Sequence, residues 1–171
     1  MLPETETEVV TFAYYDSPIG ILKIGGTDLY ITEISFAEKE VDATQNNTEA
    51  TPIIHRCIEQ LIEYFSGTRQ IFDIPCHQQG TEFQEKVWAK LSEINYGYTY
   101  SYGDLAKKLG DPKVIRAAAA ANGKNKLMIV VPCHRVIGAD RSLVGYAGGM
   151  GKKKWLLQHE FRIKHGVQTL F

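Results

Sequence analysis

The sequence predicts an α+β protein in two parts. A small N-terminal α/β domain with a mixed or antiparallel sheet spans residues 1–80, and a mostly helical C-terminal domain with a helix-turn-helix spans residues 81–171. Three observations predict this. Short β-rich runs separated by Gly, Pro and Asp occupy the first part of the chain. Apolar residues take helical spacing from Pro52 onward. After Gly80, helix-start signatures recur.

Taken in order, residues 9–15 (VVTFAYY) predict a strand and Asp16-Ser17-Pro18-Ile19-Gly20 a turn. Residues 21–24 and 29–36 predict two further strands, parted by Gly25-Gly26. The polar stretch 37–51 reads as a loop. From Pro52, the residues Ile54, Cys57, Ile58, Leu61, Ile62 and Phe65 share one helical face, and Gly67 is a fitting stop. Cys57 lies on that face and is expected to be packed and unreactive. Residues 68–80 predict a strand and a linker.

In the second half, Thr81 and Gln84 form a capping box ahead of a helix whose buried stripe is Phe83, Val87, Trp88 and Leu91. Ser101 and Asp104 repeat the signature for a short helix through Leu109, which Gly110 ends. Asp111 caps another helix with Pro112 in its first position, where no N–H is needed. That helix runs through Arg116 and five alanines, Ala117 to Ala121, and stops near Asn122-Gly123. Two short helices joined by a tight Gly-Asp turn make a helix-turn-helix. Residues 127–131 (LMIVV) predict a buried extended segment. The last helix, about Lys152 to Phe161, carries Trp155, Leu156 and His159 at helical spacing.

Composition narrows the function classes. With 44% hydrophobic and 23% charged residues the chain reads as soluble and globular. It holds no apolar run long enough to span a bilayer, and no membrane association is expected. The acidic N-terminus lacks the features of a secretory signal, so the expected location is the cytoplasm, or the nucleus in a eukaryote. Three cysteines without a CxxC pair argue against a disulfide framework or a cysteine-rich zinc site. The net charge of −1 conceals an asymmetry. Residues 1–80 hold four Lys/Arg against thirteen Asp/Glu, a balance of −9. Residues 81–171 hold fifteen against seven, a balance of +8. Either the halves attract each other, or the second half faces a polyanion such as nucleic acid.

Cys133 is the strongest candidate nucleophile, because His134 and Arg135 follow it and a nearby cation favours the thiolate. In an extended chain neighbouring side chains point to opposite faces, so Cys133 and His134 can cooperate only through a sharp bend after Pro132 or a bridging water. Glu160 is a candidate to orient the imidazole. The alanine helix is bare enough either to pack closely on another helix or to enter a DNA groove with Arg116 as its one long side chain. Lys107, Lys108, Lys113, Lys124 and Lys126 would then serve phosphates.

The run Val131-Pro132-Cys133-His134-Arg135-Val136 resembles the active-site signature of the O6-alkylguanine-DNA alkyltransferases. The likeness extends from about Thr81 to Glu160 through Ser101-Tyr102, Asn122 to Asn125, Gly145-Tyr146-Ala147-Gly148-Gly149 and Lys153-Lys154-Trp155-Leu156-Leu157. It implies a ribonuclease H-like N-terminal domain and a winged-helix-like C-terminal one. The implied partner is double-stranded DNA containing O6-alkylguanine, with O4-alkylthymine as an alternative lesion. The protein would act as a monomer without an obligate protein partner.

By the same resemblance, Cys133 accepts the alkyl group, His134 takes the thiol proton through water, and Glu160 orients His134. Tyr102 donates toward the base, and Asn125 braces the turn beside the active site. Arg116 fills the place of the flipped nucleotide. Ala117, Ala121, Arg135, Val136, Tyr146, Ala147 and Gly148 are the further expected contacts to substrate or DNA. Ala147 stands where many relatives have serine, and Lys126 where a proline often follows the asparagine. No cofactor is expected, and Cys57, Cys76, His55 and His77 lack the spacing of a zinc site. A Cys-His hydrolase and an alkylation-damage sensor that binds without reacting are the competing readings.

Overall fold

The computed structural model describes residues 8–37 and 49–166. The reading of 37–51 as a loop falls mostly on residues outside these. Three strands, β1 (Thr11–Ser17), β2 (Gly20–Gly26) and β3 (Ile31–Phe36), form an antiparallel meander. The first turn is tighter than the sequence suggests: β1 runs through Ser17, which pairs with Gly20. Gly20 takes φ 125°, and the Ser17 hydroxyl donates to its carbonyl at 2.6 Å.

The second expected break is displaced. Gly25 and Gly26 lie inside β2, at a bulge against β3, and the chain reverses at Thr27–Tyr30 instead. Thr27 holds that reversal, its Oγ1 accepting from the N–H groups of Leu29 and Tyr30. Glycine is needed at position 25 because a Cβ there would lie 2.7 Å from the Phe12 ring.

Ala13, Leu22, Ile24, Ile31 and Ile34 are buried along the sheet with the inner face of α1 (Pro52–Ser66): Ile54, Cys57, Leu61, Tyr64 and Phe65. Gly67 ends α1 at φ 87°, as its sequence position suggests. Ile62, placed on that face by spacing, is exposed instead. Burial pushes the Cys57 thiol up to about 12, which leaves it inert at neutral pH. Residues 68–80 form no regular strand. They run beside β3 and touch it at one parallel bridge, Ile31 to Cys76.

The second half begins with α2 (Glu82–Leu91), which has the Thr81–Gln84 capping box. Its Trp88 Nε1 donates to the carbonyl of Ala121 at 2.9 Å. A two-residue strand, β4 (Tyr100–Ser101), leads into α3 (Tyr102–Lys108), capped by Ser101 and Asp104. Gly110 at φ 92° makes the turn, and Asp111 Oδ1 accepts from the Lys113 N–H at 2.9 Å. A single 3₁₀ turn over Pro112–Val114 precedes α4 (Ile115–Gly123), the second helix of the helix-turn-helix. Strand β5 (Val136–Ile137) pairs in parallel with β4, and α5 (Met150–His165) closes the chain.

The halves are not separate bodies. Ile34 N–H donates to Lys126 O and Met128 N–H to Ile34 O, so β3 meets the second half through main-chain bonds. One apolar core runs from the sheet through α1 to α2, α4 and α5. Among the described residues, no helix is long and apolar enough to cross a membrane.

Candidate active site

Residues 127–131 are buried but not extended. Ile129 takes φ 72°, and Val131 N–H donates back to Leu127 O at 2.9 Å. A β-branched residue rarely adopts that conformation, so the turn must be held from outside. Asn125 holds it: Nδ2 donates to Val131 O at 2.8 Å, and Oδ1 accepts from Leu127 N–H at 3.0 Å. Gln78 donates to the same Oδ1 at 2.9 Å.

Pro132 then makes the sharp bend that neighbouring side chains need in order to cooperate. Its φ −82° and ψ 63° define an inverse γ-turn, closed by Cys133 N–H to Val131 O at 2.8 Å. Cys133–Arg135 continue as a 3₁₀ turn. The bend replaces the extended segment predicted from the apolar run.

Cys133 lies at a pocket of about 150 Å³ lined also by Tyr102, Ala119, Asn122, Gly123, Asn125, Met128, Gly145, Tyr146 and Ala147. The Tyr102 hydroxyl donates to Val144 O at 3.0 Å, and Asn122 Nδ2 donates to Cys133 O at 3.4 Å. Burial pushes the Cys133 thiol up, while Asn125 and then Lys153 pull against that rise without overcoming it. At rest the sulfur therefore carries its proton.

Behind the sulfur lies a buried charge network. His134 Nε2 and Glu160 Oε2 are 2.7 Å apart, and both side chains are buried. Arg135 Nε donates to Glu160 Oε1 at 2.7 Å, and its Nη1 donates to Ile94 O at 2.6 Å. Burial alone would raise the Glu160 carboxyl; His134 and then Arg135 overcome it and hold it well below the usual carboxylate range. Burial presses His134 below its ordinary value, against the pull of Glu160. The imidazole is thus neutral at pH 7, and its Nδ1 is buried without a protein partner among the described residues.

Several expected positions lie elsewhere than the pocket lining. Arg135 and Val136 are not among the residues that line it. Arg135 is buried in the pair with Glu160, and Val136 is sealed in the core with its carbonyl bound to Lys153. The cation acting on the sulfur comes instead from α5: Lys153, fully buried, donates to the carbonyls of Val136, Val144 and Gly145 at 2.6, 2.9 and 3.2 Å. Burial lowers it to about 8, which still leaves it mostly charged at neutral pH.

On α4, Arg116 and Ala117 are exposed, but Ala121 is turned into the core against Trp88, as is Ala118. The bare outer face is Ala117 and Ala120, with Ala119 at the pocket. Tyr146 and Ala147 line the pocket, whereas Gly148 packs on Phe36, where a Cβ would come within 2.6 Å of the ring. Asn122, Met128, Phe36 and Lys153 gained no role from sequence reasoning. Lys153 enters the sequence reading only as part of the resembling run Lys153-Lys154-Trp155-Leu156-Leu157, with no role attached to it.

Residues 82–162 match the family model for the 6-O-methylguanine DNA methyltransferase DNA binding domain, and residues 10–78 match that family's ribonuclease-like domain. A methylated-DNA–protein-cysteine methyltransferase of Mycolicibacterium paratuberculosis is 41% identical over 95% of this chain and 99% of its own.

The chain belongs to the 6-O-methylguanine DNA methyltransferase family.

Two solved structures agree in fold. The O6-methylguanine methyltransferase of Mycobacterium tuberculosis is 40% identical with a TM-score of 0.78, covering 90% of this chain and 93% of that one. The OGT of the same organism, solved in complex with DNA, is 39% identical with a TM-score of 0.78, covering 89% and 93%. The α+β architecture, with a small antiparallel sheet followed by a helical DNA-binding part, is thus shared across the family members compared.

Proposed function

We propose that this protein repairs DNA by direct reversal, moving the alkyl group of O6-alkylguanine in duplex DNA onto Sγ of Cys133, once per molecule. The observation that carries the reading is a buried thiol at the base of a pocket, beside the bare α4 and backed by the His134–Glu160 pair. Double-stranded DNA is the partner, and the lesion must leave the stack to reach a sulfur this deep. Arg116 takes the vacated space from the start of α4, and Lys107, Lys108, Lys113, Lys124 and Lys126, all exposed, serve phosphates. The protein acts as a monomer. A free thiol of this kind needs a reducing compartment, so the cytoplasm, or the nucleus of a eukaryote, is the proposed location.

The steps follow from the protonation states. The Cys133 proton passes through water to Nδ1 of His134, whose other nitrogen is anchored on Glu160. The thiolate attacks the alkyl carbon, the S–C bond forms and the C–O6 bond breaks with its electron pair staying on guanine. Tyr102 donates toward the departing base; burial raises its hydroxyl, so the proton is present at neutral pH. Asn125 fixes the turn that presents the sulfur, and Tyr146, Ala147 and Gly148 close over the base. The thioether product has no good leaving group, so the protein is consumed.

Mixing the protein with a duplex containing O6-methylguanine, then digesting it, tests the reading. One methyl mass on the Cys133 peptide, at one per protein, is the expected result. Repeated turnover, or repair by Cys133→Ser, would overturn it. Binding without transfer would mark a sensor, and ester or peptide turnover a hydrolase.

A further inference from the structure

Glu160 is gripped from both halves of the molecule. Tyr64, on α1, donates its hydroxyl to Glu160 Oε2 at 2.6 Å. The same oxygen lies 2.7 Å from His134 Nε2 and accepts from Arg135 Nη2 at 3.1 Å. Tyr64 is wholly buried, its ring set against Phe65, Phe72, Tyr96 and His159. The carbonyl of Tyr64 lies 2.8 Å from Nε2 of His159, so this one residue meets consecutive residues of α5.

We infer that Tyr64 is a positioning residue for the alkyl transfer, its hydroxyl competing with His134 for Glu160 and so setting how tightly the imidazole holds a proton. The inference rests on the repair reading above. A carboxylate oxygen that already accepts a short hydrogen bond has less charge to offer an imidazolium. Tyr64 therefore keeps His134 in the neutral form able to take the thiol proton. The groups facing this pair come from every packed element. Arg135 and Tyr64 touch the carboxylate, Tyr96, Tyr146 and His159 lie within its field, and Lys153 and Arg135 act on His134. Of these, only Tyr64 reaches the carboxylate from the N-terminal part of the chain, among the described residues. The acidic first half thus contributes a hydroxyl to the reaction as well as a packing surface.

Two substitutions test this in the intact protein. Tyr64→Phe keeps the ring and removes the donor; 3-fluorotyrosine at position 64 keeps the shape and donates more strongly. The His134 ring is titrated by NMR in the DNA-free protein, and single-turnover methyl transfer from an O6-methylguanine duplex is followed against pH. Tyr64→Phe is expected to raise the His134 midpoint and the acidic limb of the rate profile by roughly half a unit. The rates should converge with the unsubstituted protein at high pH, and the fluorinated residue should shift both curves downward. Superimposable titrations in both variants would overturn the inference and leave Tyr64 a packing residue. Should the Phe variant fail to fold, the fluorinated protein decides alone. Absence of methyl transfer by the unsubstituted protein would sink the repair reading, yet the titration would still report on the hydrogen bond.

Discussion

Arg135 carries a stability consequence of its own at the site. Removing it strands Glu160 as a buried carboxylate with one less counter-charge. Breaking one side of a buried pair costs about 3–5 kcal/mol, so Arg135→Ala is expected to lose that much in chemical denaturation. Acid should act on the same network. The folded values of His134 and Glu160 both lie below their ordinary 6.5 and 4.5, so the unfolded chain binds more protons as the pH falls. Stability contributed by these groups is complete above about pH 6.5 and drains away as the pH falls first below the ordinary histidine value and then below the ordinary carboxyl value. A stability series by circular dichroism should hold level from pH 7.5 to about 6.5 and decline below that toward pH 4; a flat series over the whole range would contradict the network. At this scale the sequence was partly legible. Cys133 and His134 stand side by side in it, and Glu160 is a candidate partner of the imidazole there, with the resemblance giving it the same role. Tyr64 lies 96 residues from Glu160, and the run that holds Lys153 gives it no role, because no local pattern encodes a hydrogen bond between distant elements.

Elements whose signals are local were readable: both capping boxes, the Gly67 stop and the Asp111 cap are where short-range chemistry puts them. The bend at Ile129 was not, because Leu-Met-Ile-Val-Val has every mark of a strand. Its left-handed residue exists only because Asn125 and Gln78 hold the ends, at a local cost of about 1–3 kcal/mol. Ala121 was misassigned for a similar reason, since alanines give no amphipathic contrast to show which side of α4 is buried. The loop over the pocket has a support from the sheet as well. Phe36 at the end of β3 meets Tyr146 edge-on, with centroids 6.4 Å apart, and carries the Lys152 ammonium 4.1 Å from its ring centroid. Phe36→Ala should loosen this loop and improve transfer of a benzyl group relative to methyl by several-fold. Competition between the two lesions in single-turnover assays measures that ratio; an unchanged ratio would mean that the sheet does not restrain the loop.

Across the whole molecule, charge and architecture divide differently. The acidic and basic halves of the sequence share one core and main-chain bonds at β3. The exposed cations around α4 predict that affinity for undamaged duplex falls steeply with salt, with a slope near −0.9 in log–log form for each phosphate neutralised. Lys113→Ala should flatten that slope by about one contact, as filter binding at graded ionic strength would show, while a slope near zero would remove phosphate contacts from the account. The two-part order of the chain was legible from its charge and periodicity. Its single core was not, since a contact such as Ile34 with Lys126 and Met128 leaves no trace in either segment alone. The indole of Trp88, bonded to the last turn of α4, gives the molecule an optical gauge of its own. Trp155 is stacked on His159 at 4.7 Å, a partner able to quench emission. With Trp155 replaced by Phe, fluorescence would come from one indole tethered to α4, and DNA docking could be timed in a stopped-flow cell without any dye.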